Sequence, residues 1–408
     1  MNLPIGIELA CVLVLVIFPL ASADLLIFKV YGRDSAGLQL PVGGSRRGDL
    51  RRVAVKCVGF YATLLVVAAM YFAFPIYRQD YYQPFFSLAA LCVPPILAVA
   101  PLYIWLLDRR MACPRDGTWQ AGRLFLGYWR GLDRTELASY ALGWLIKAFF
   151  LPLMIGGLAA TVRWLGRHPL DAALVDVFEA TTWLITLALF VNLAFVSAGY
   201  IVTLRVLDSH IRSVNPLVLG WVVALICYEP FWSAISNAFL HYGDTISWRE
   251  WIRGSPLLAI VWGGLIVAAQ TVWVSSAVIF GLRFSNLTHR GIITGGPFRF
   301  TKHPSYIAKN ISWWLISVPF ISDLGPVAAF NSCLLLLGVN AIYLARARTE
   351  EAHLSADPTY VAYAMWMSEH GVFRGIGRIL PWLAYRPPQH IARVGTHKVE
   401  RSRPAPAE

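Results

Sequence analysis

Charge is what this sequence has least of. Of 408 residues only 14% are Asp, Glu, Lys or Arg, against 57% hydrophobic, and the mean hydropathy is +0.56. That balance excludes an ordinary soluble globular domain, in which about a quarter of residues are charged, and reads as a multi-spanning membrane protein. Paired cysteines are missing as well. None of the six cysteines stands in a C-x-x-C arrangement: Cys11, Cys57, Cys92, Cys227 and Cys333 lie in apolar runs and Cys113 in a basic loop. Neither a disulfide framework nor a metal site is expected, and the thiols read as small apolar fillers. No internal repeat is visible. The first apolar run has no basic start and no small-residue cleavage site, and it carries Glu8, so it reads as a retained helix rather than a secretory signal.

What is present is apolar length. Runs able to cross a hydrocarbon core, which takes about 20 residues, fall near 5–22, 53–75, 85–107, 136–161, 181–204, 216–238, 256–281, 305–321 and 325–345. The expected fold is therefore an all-α, polytopic membrane helical bundle of about nine transmembrane helices. Basic residues set its orientation, because Lys and Arg in short loops are retained on the cytoplasmic side. The loops 23–52, 108–135, 205–215 and 282–304 and the tail from 346 hold 27 of the 35 Lys and Arg, and the opposite loops hold 5. The N-terminus is thus expected outside and the C-terminus in the cytoplasm. The net charge of +12 faces anionic lipid headgroups on this reading and is not a nucleic-acid footprint. The preference for Arg over Lys points to a GC-rich bacterial genome, hence to a multi-pass protein of a bacterial inner membrane.

Three regions differ in texture. Residues 1–255 carry six spans joined mostly by short loops, with no role legible beyond an acceptor groove. Within them GRLFLGYWRGL, in the loop 108–135, suits either a helix lying on the bilayer surface or an ordinary basic loop. Glu229, in CYEPFW, is a further ionisable residue at a span end. Residues 256–385 gather polar residues at helix mouths and after the last span, and residues 386–408 form a basic tail expected to be disordered.

Chemistry is expected in the middle region. The last two apolar runs are separated by only ISDLGP, a tight helical hairpin that brings Lys302, His303 and Tyr306 opposite Arg346, Arg348, Glu350 and Glu351. Two glutamates, a lysine and a histidine beside hydrocarbon are costly without partners, so they pair with one another or meet a charged ligand. A zwitterion would satisfy both halves. Gly295-Gly296-Pro297 just before this stretch lets backbone N–H groups approach a ligand, although an ordinary turn uses the same residues. Trp313 and Trp314 read as interfacial anchors or as a platform for a flat or cationic ligand.

TGGPFRFTKHPSY, followed some forty residues later by RTEEAHLSADPTYVAY, resembles the isoprenylcysteine carboxyl methyltransferase family and its phospholipid methyltransferase relatives. The matching elements are Lys302-His303-Pro304-Ser305-Tyr306, Arg348-Thr349-Glu350-Glu351, Tyr360 with Tyr363, and Pro381, over roughly residues 270–385. The resemblance implies an integral membrane methyltransferase that binds S-adenosylmethionine in a cytoplasm-facing pocket and meets a lipid or lipid-linked acceptor from the side. It makes Lys302, Arg348 and Glu350 the candidate catalytic residues. Gly295, Gly296, His303, Tyr306, Asn310, Glu350 and Glu351 become the candidate cofactor contacts. His303 and Tyr306 are assigned to the cofactor's carboxylate, Glu350 and Glu351 to its ammonium or sulfonium side, and Lys302 or Arg348 to an anionic acceptor.

Two departures bear on the acceptor. Lys302 stands where the family carries arginine, which removes a planar fork. Lys309-Asn310 stands where the family has small or apolar residues. The alternatives are an NADPH-dependent enzyme like the sterol reductases, which share an R-H-P-N-Y stretch where this chain has Ser305, and a transporter or structural membrane protein that keeps the hairpin without the chemistry.

Overall fold

The computed structural model describes residues 3–39, 49–239 and 246–387. The expected disordered tail lies largely outside them. The described chain is almost wholly helical, its one β element being the antiparallel pair Ser213–Val214 and Thr288–His289. Its fifteen α-helices are α1 (Ile5–Ser22), α2 (Leu50–Ala73), α3 (Gln83–Asp108), α4 (Gly117–Phe125), α5 (Arg134–Arg167), α6 (Leu170–Ala173), α7 (Val177–Ile201), α8 (Val218–Leu225), α9 (Phe231–Phe239), α10 (Trp248–Ile252), α11 (Pro256–Val278), α12 (Pro304–Ser317), α13 (Pro326–Leu354), α14 (Pro358–His370) and α15 (Ile376–Ile379).

Seven segments of the described chain are long and apolar enough to cross a membrane: Ile5–Ile27, Leu50–Ala73, Asp80–Asp108, Arg134–Arg167, Val177–Ile201, Pro256–Val278 and Pro326–Leu354. Two of the nine runs expected from the sequence are not single spanning helices. The run 216–238 is split into α8 and α9, because Pro230 has no N–H to continue the ladder. The run 305–321 yields only α12, whose 14 residues reach about 21 Å, short of the roughly 30 Å hydrocarbon core. It stops at Val318, which adopts a left-handed conformation with φ 45°. That strain is tolerated because Val318 is fully buried in a cluster with Trp248, Ile252, Ala259 and Ile266.

The chain divides into two compact units. The first comprises Met1–Arg167, Phe190–Val214 and Gly281–Arg290, the second His168–Leu189, Asn215–Phe280 and Gly291–Glu408, with one of the five division points falling inside α7.

In the first unit α2, α3 and α4 are tied by a buried ionic knot. Lys56 reaches Asp108 at the end of α3 (3.0 Å) and Asp116, the N-cap of α4 (3.4 Å), while Arg52 donates to Asp108 at 2.6 Å. Every charge there has a partner, which is the condition for burying it. The GRLFLGYWRGL stretch is part helix: α4 lies directly on α2, where a Cβ on Gly59 would come within 2.6 Å of the Gly122 backbone nitrogen. Its continuation exposes Phe125, Leu126, Tyr128 and Trp129. Elsewhere in the unit the buried Arg290 donates to the carbonyls of Gly199, Val202, Ser209, Leu282 and Phe284, fastening three chain segments together.

In the second unit α11 packs along α12, and α12 and α13 form the expected hairpin across residues 318–325. Its register is fixed by side chains. Trp314 donates its indole N–H to Asn340 at 2.8 Å, Asn340 bonds Asn310, and the Tyr306 hydroxyl donates to Glu350 at 2.8 Å. With 29 residues, α13 extends about 43 Å, so its last turns, from Arg346 onward, run beyond the length that hydrocarbon requires.

Candidate functional site

Three segments of the second unit build the site. The stretch before α12 is held down by α14: the Tyr363 hydroxyl donates to the Phe298 carbonyl at 2.7 Å, and the Val372 N–H donates to the Phe300 carbonyl at 2.9 Å. α14 is itself started by Asp357, whose carboxylate accepts from the Thr359 N–H at 2.8 Å, a standard N-cap for a helix opening on Pro358. The residues after α15 return to the end of α13, where Arg348 donates to the Trp382 carbonyl at 2.6 Å.

Glu351 is the hub. Its carboxylate meets Lys302 Nζ, His303 Nε2 at 3.1 Å and Arg348 Nη1 at 3.2 Å. Only 8% of its side chain is exposed, against 42% for Glu350, so the two glutamates are not equivalent. Glu350 accepts from Tyr306, whose ring stacks on His303 at 5.6 Å, and its carboxylate lies 4.0 Å from His303 Nδ1. Lys302 also sits 4.7 Å over the Tyr385 ring. The Ser355 hydroxyl donates to the Glu351 carbonyl at 2.6 Å and therefore accepts from the Tyr385 hydroxyl at 2.8 Å. Burial, with Glu351 and Tyr363 among its neighbours, drives the Tyr360 phenol far above its ordinary range. It stays a neutral O–H, yet it is buried with no hydrogen-bond partner among the described residues.

A cleft of about 500 Å³ opens on this cluster, lined among others by Lys302, His303, Arg348, Glu351, Arg374 and Tyr385. That volume falls in the range of small-molecule sites, roughly 300–1,000 Å³. It presents both signs of charge beside aromatic faces.

The structure brings Lys302, His303, Arg348 and Glu351 together on the cleft wall. Tyr306 and Glu350 stand behind them as a bonded pair. Asn310 does not reach the cleft: its amide donates to the Tyr306 carbonyl at 2.9 Å and accepts from Asn340 within the hairpin. Gly295 and Gly296 are also away from it. Gly296 has φ 56°, and a Cβ there would come within 2.5 Å of Ile279 Cδ1, so the pair serves a tight turn packed on the end of α11. Trp313 packs on Tyr343 at 5.0 Å and Trp314 bonds Asn340, so neither offers a platform in the cleft. Tyr385, Arg374 and the Trp382 carbonyl were not singled out from sequence. The signal for Tyr385 was its position in PWLAY, directly after the proline that closes the motif. Among the described residues no three His, Cys, Asp or Glu side chains are grouped as metal ligands.

The class so defined is a polytopic helical membrane protein with an ionised, aromatic-sided cleft at the end of a helical hairpin. Residues 261–356, from α11 to the end of α13, match the model of the isoprenylcysteine carboxyl methyltransferase (ICMT) family. The segment that builds most of the site is therefore similar to a family of membrane methyltransferases. No curated protein and no solved structure matches the chain.

Proposed function

We propose that the protein transfers a methyl group from S-adenosylmethionine to a lipid or lipid-linked acceptor at the cytoplasmic face of the membrane. The observation that carries this reading is the Glu351 hub, a mixed-charge wall on a cleft of small-molecule size inside the segment that matches the family.

The donor set fits such a ligand. A carboxylate would be met by Lys302, His303 and Arg348, which Glu351 holds in place but does not fully saturate, because Lys and Arg offer three and five N–H donors. An adenine would have the ring faces of the cleft, Tyr385 and Phe373 among them. When bound, S-adenosylmethionine supplies an electrophilic methyl group on a sulfonium. The chain's own residues supply alignment, which carries a large part of the rate in a displacement between two held reactants. Glu351 fixes the two cations, Tyr306 and Glu350 brace His303 from behind, and Arg348 ties the tail down through Trp382.

The charge distribution supports nine crossings, seven by continuous helices and two by the broken pair α8 and α9 and the short α12. On that reading the cleft lies on the cytoplasmic side, against anionic headgroups. The test is calorimetric titration of S-adenosylmethionine into the purified protein, followed by incubation of membranes with methyl-labelled cofactor. Micromolar binding and label in the lipid fraction are expected. No binding to a folded protein, or NADPH oxidation in its place, refutes the reading.

A further inference from the structure

Lys309 is a cation that the proposed cofactor site leaves unused. It lies three residues beyond Tyr306 in α12, half-buried. Among the described residues its ammonium has rings for neighbours, Trp273 of α11 at 4.9 Å and Tyr343 of α13 at 5.9 Å, and no carboxylate. The Tyr343 ring is shared with a second cation, the buried Arg346, whose guanidinium lies 5.2 Å from it and 5.1 Å from Tyr306. Two positive groups are thus gathered in one aromatic box.

Ring faces offset part of the cost of a desolvated ammonium, but a half-buried cation beside another cation still lacks a counter-charge. The Lys309 ammonium does not serve the hairpin, whose register is already fixed by Trp314, Asn340, Asn310 and the Tyr306–Glu350 bond.

We infer that Lys309, with Arg346 and the Trp273 and Tyr343 rings around it, binds the phosphate of a net-anionic phospholipid. The inference stands on the box and not on the methyltransferase reading. Lys309 is six residues along α12 from His303, about 9 Å, so the two sites are neighbours on one helix.

The experiment compares wild type, Lys309→Met and Lys309→Arg in nanodiscs of phosphatidylglycerol or phosphatidylcholine, reading retained lipid by native mass spectrometry after detergent extraction. S-Adenosylmethionine is titrated in parallel, and inorganic phosphate is added as competitor. Wild type and Lys309→Arg are expected to keep phosphatidylglycerol. Lys309→Met should hold it at least tenfold more weakly, one lost ion pair's worth, with cofactor affinity unchanged and no displacement by phosphate. Equal retention of phosphatidylglycerol by Lys309→Met, or of phosphatidylcholine by wild type, overturns the site. Displacement by inorganic phosphate overturns a lipid as its occupant. If wild type binds no S-adenosylmethionine, the methyltransferase reading falls while the lipid arm still decides the box. Lys309→Gln replaces the Met variant if that one does not assemble.

Discussion

Replacing Glu351 by glutamine removes one charge and almost no volume, and the structure sets the size of the effect. The lost carboxylate faces three donors, two of them on strongly shielded side chains: Lys302 and His303 are each 15% exposed, and Arg348 is 31% exposed. Breaking a buried pair from one side costs about 3–5 kcal/mol because the opposite charge is left behind. The Arg348 contact, nearer the surface, adds at most about 1 kcal/mol. Lys302 keeps some solvent and the Tyr385 ring, so the lower end applies, about 3 kcal/mol. Thermal unfolding in detergent, followed by tryptophan fluorescence, should fall by roughly 5 °C or more. S-Adenosylmethionine affinity should fall at least about tenfold, since the cations that receive its carboxylate lose their anchor. Lys302→Met in the Glu351→Gln background should restore part of the stability but not the affinity, a coupling of about 1–3 kcal/mol. Glu350→Gln, on the more exposed neighbour, should cost about 1 kcal/mol or less. If Glu351→Gln melts within about 1 °C of wild type and binds cofactor equally, the hub does not organise the site and the reasoning is refuted.

Other consequences follow from single contacts. Tyr360→Phe should leave the melting temperature unchanged or raise it slightly, because among the described residues the hydroxyl has no partner to lose; a clear stability loss would show that the hydroxyl serves the fold. Asp108→Asn leaves Lys56 with Asp116 alone and Arg52 with the exposed Asp49 and should destabilise by about 2 kcal/mol, read as faster proteolysis and earlier melting. Asn340→Ala unpairs the Trp314 indole and Asn310 and should cost about 0.6–2 kcal/mol. The imidazole of His210 is pushed down to about 3 by burial and by Arg205, Arg212 and Arg290. It is neutral in the fold, while the unfolded chain takes up a proton below about pH 6.5. Its contribution is therefore complete above that pH and is lost as pH falls from about 6.5 toward 3, at up to about 1.4 kcal/mol per pH unit. Melting at pH 7.5 and 5.5 should separate wild type from His210→Asn; parallel curves would contradict the sign.

How much of this was legible beforehand varies by residue. Lys302, His303 and Glu351 were placed together because a short hairpin between two apolar runs forces the start of one helix toward the end of the next. Pro230 and the modest length before Gly325 were in plain view, yet apolar composition alone ranked 216–238 and 305–321 as full spans. Hydropathy counts side chains and is blind to a missing N–H or a left-handed residue. Asn310 shares a helical face with Tyr306, but a face can be turned to a neighbouring helix as well as to a ligand, and here Asn340 takes it. Gly296 needs its freedom for the turn on Ile279, a requirement that looks the same in sequence as a ligand cradle.

The sequence by itself determined that the chain is helical and rich in membrane-length apolar runs, where its charges gather, and which family the segment 261–356 resembles, because these are properties of order and composition along one dimension. Only the tertiary structure decided that Glu351 and not Glu350 is the hub, that Tyr385 and Trp382 close the cleft from the tail, and that Lys309 stands among rings without a carboxylate. The strength of a charge or a hydrogen bond depends on distance and on what has been removed from water. Both quantities come into existence when distant segments meet.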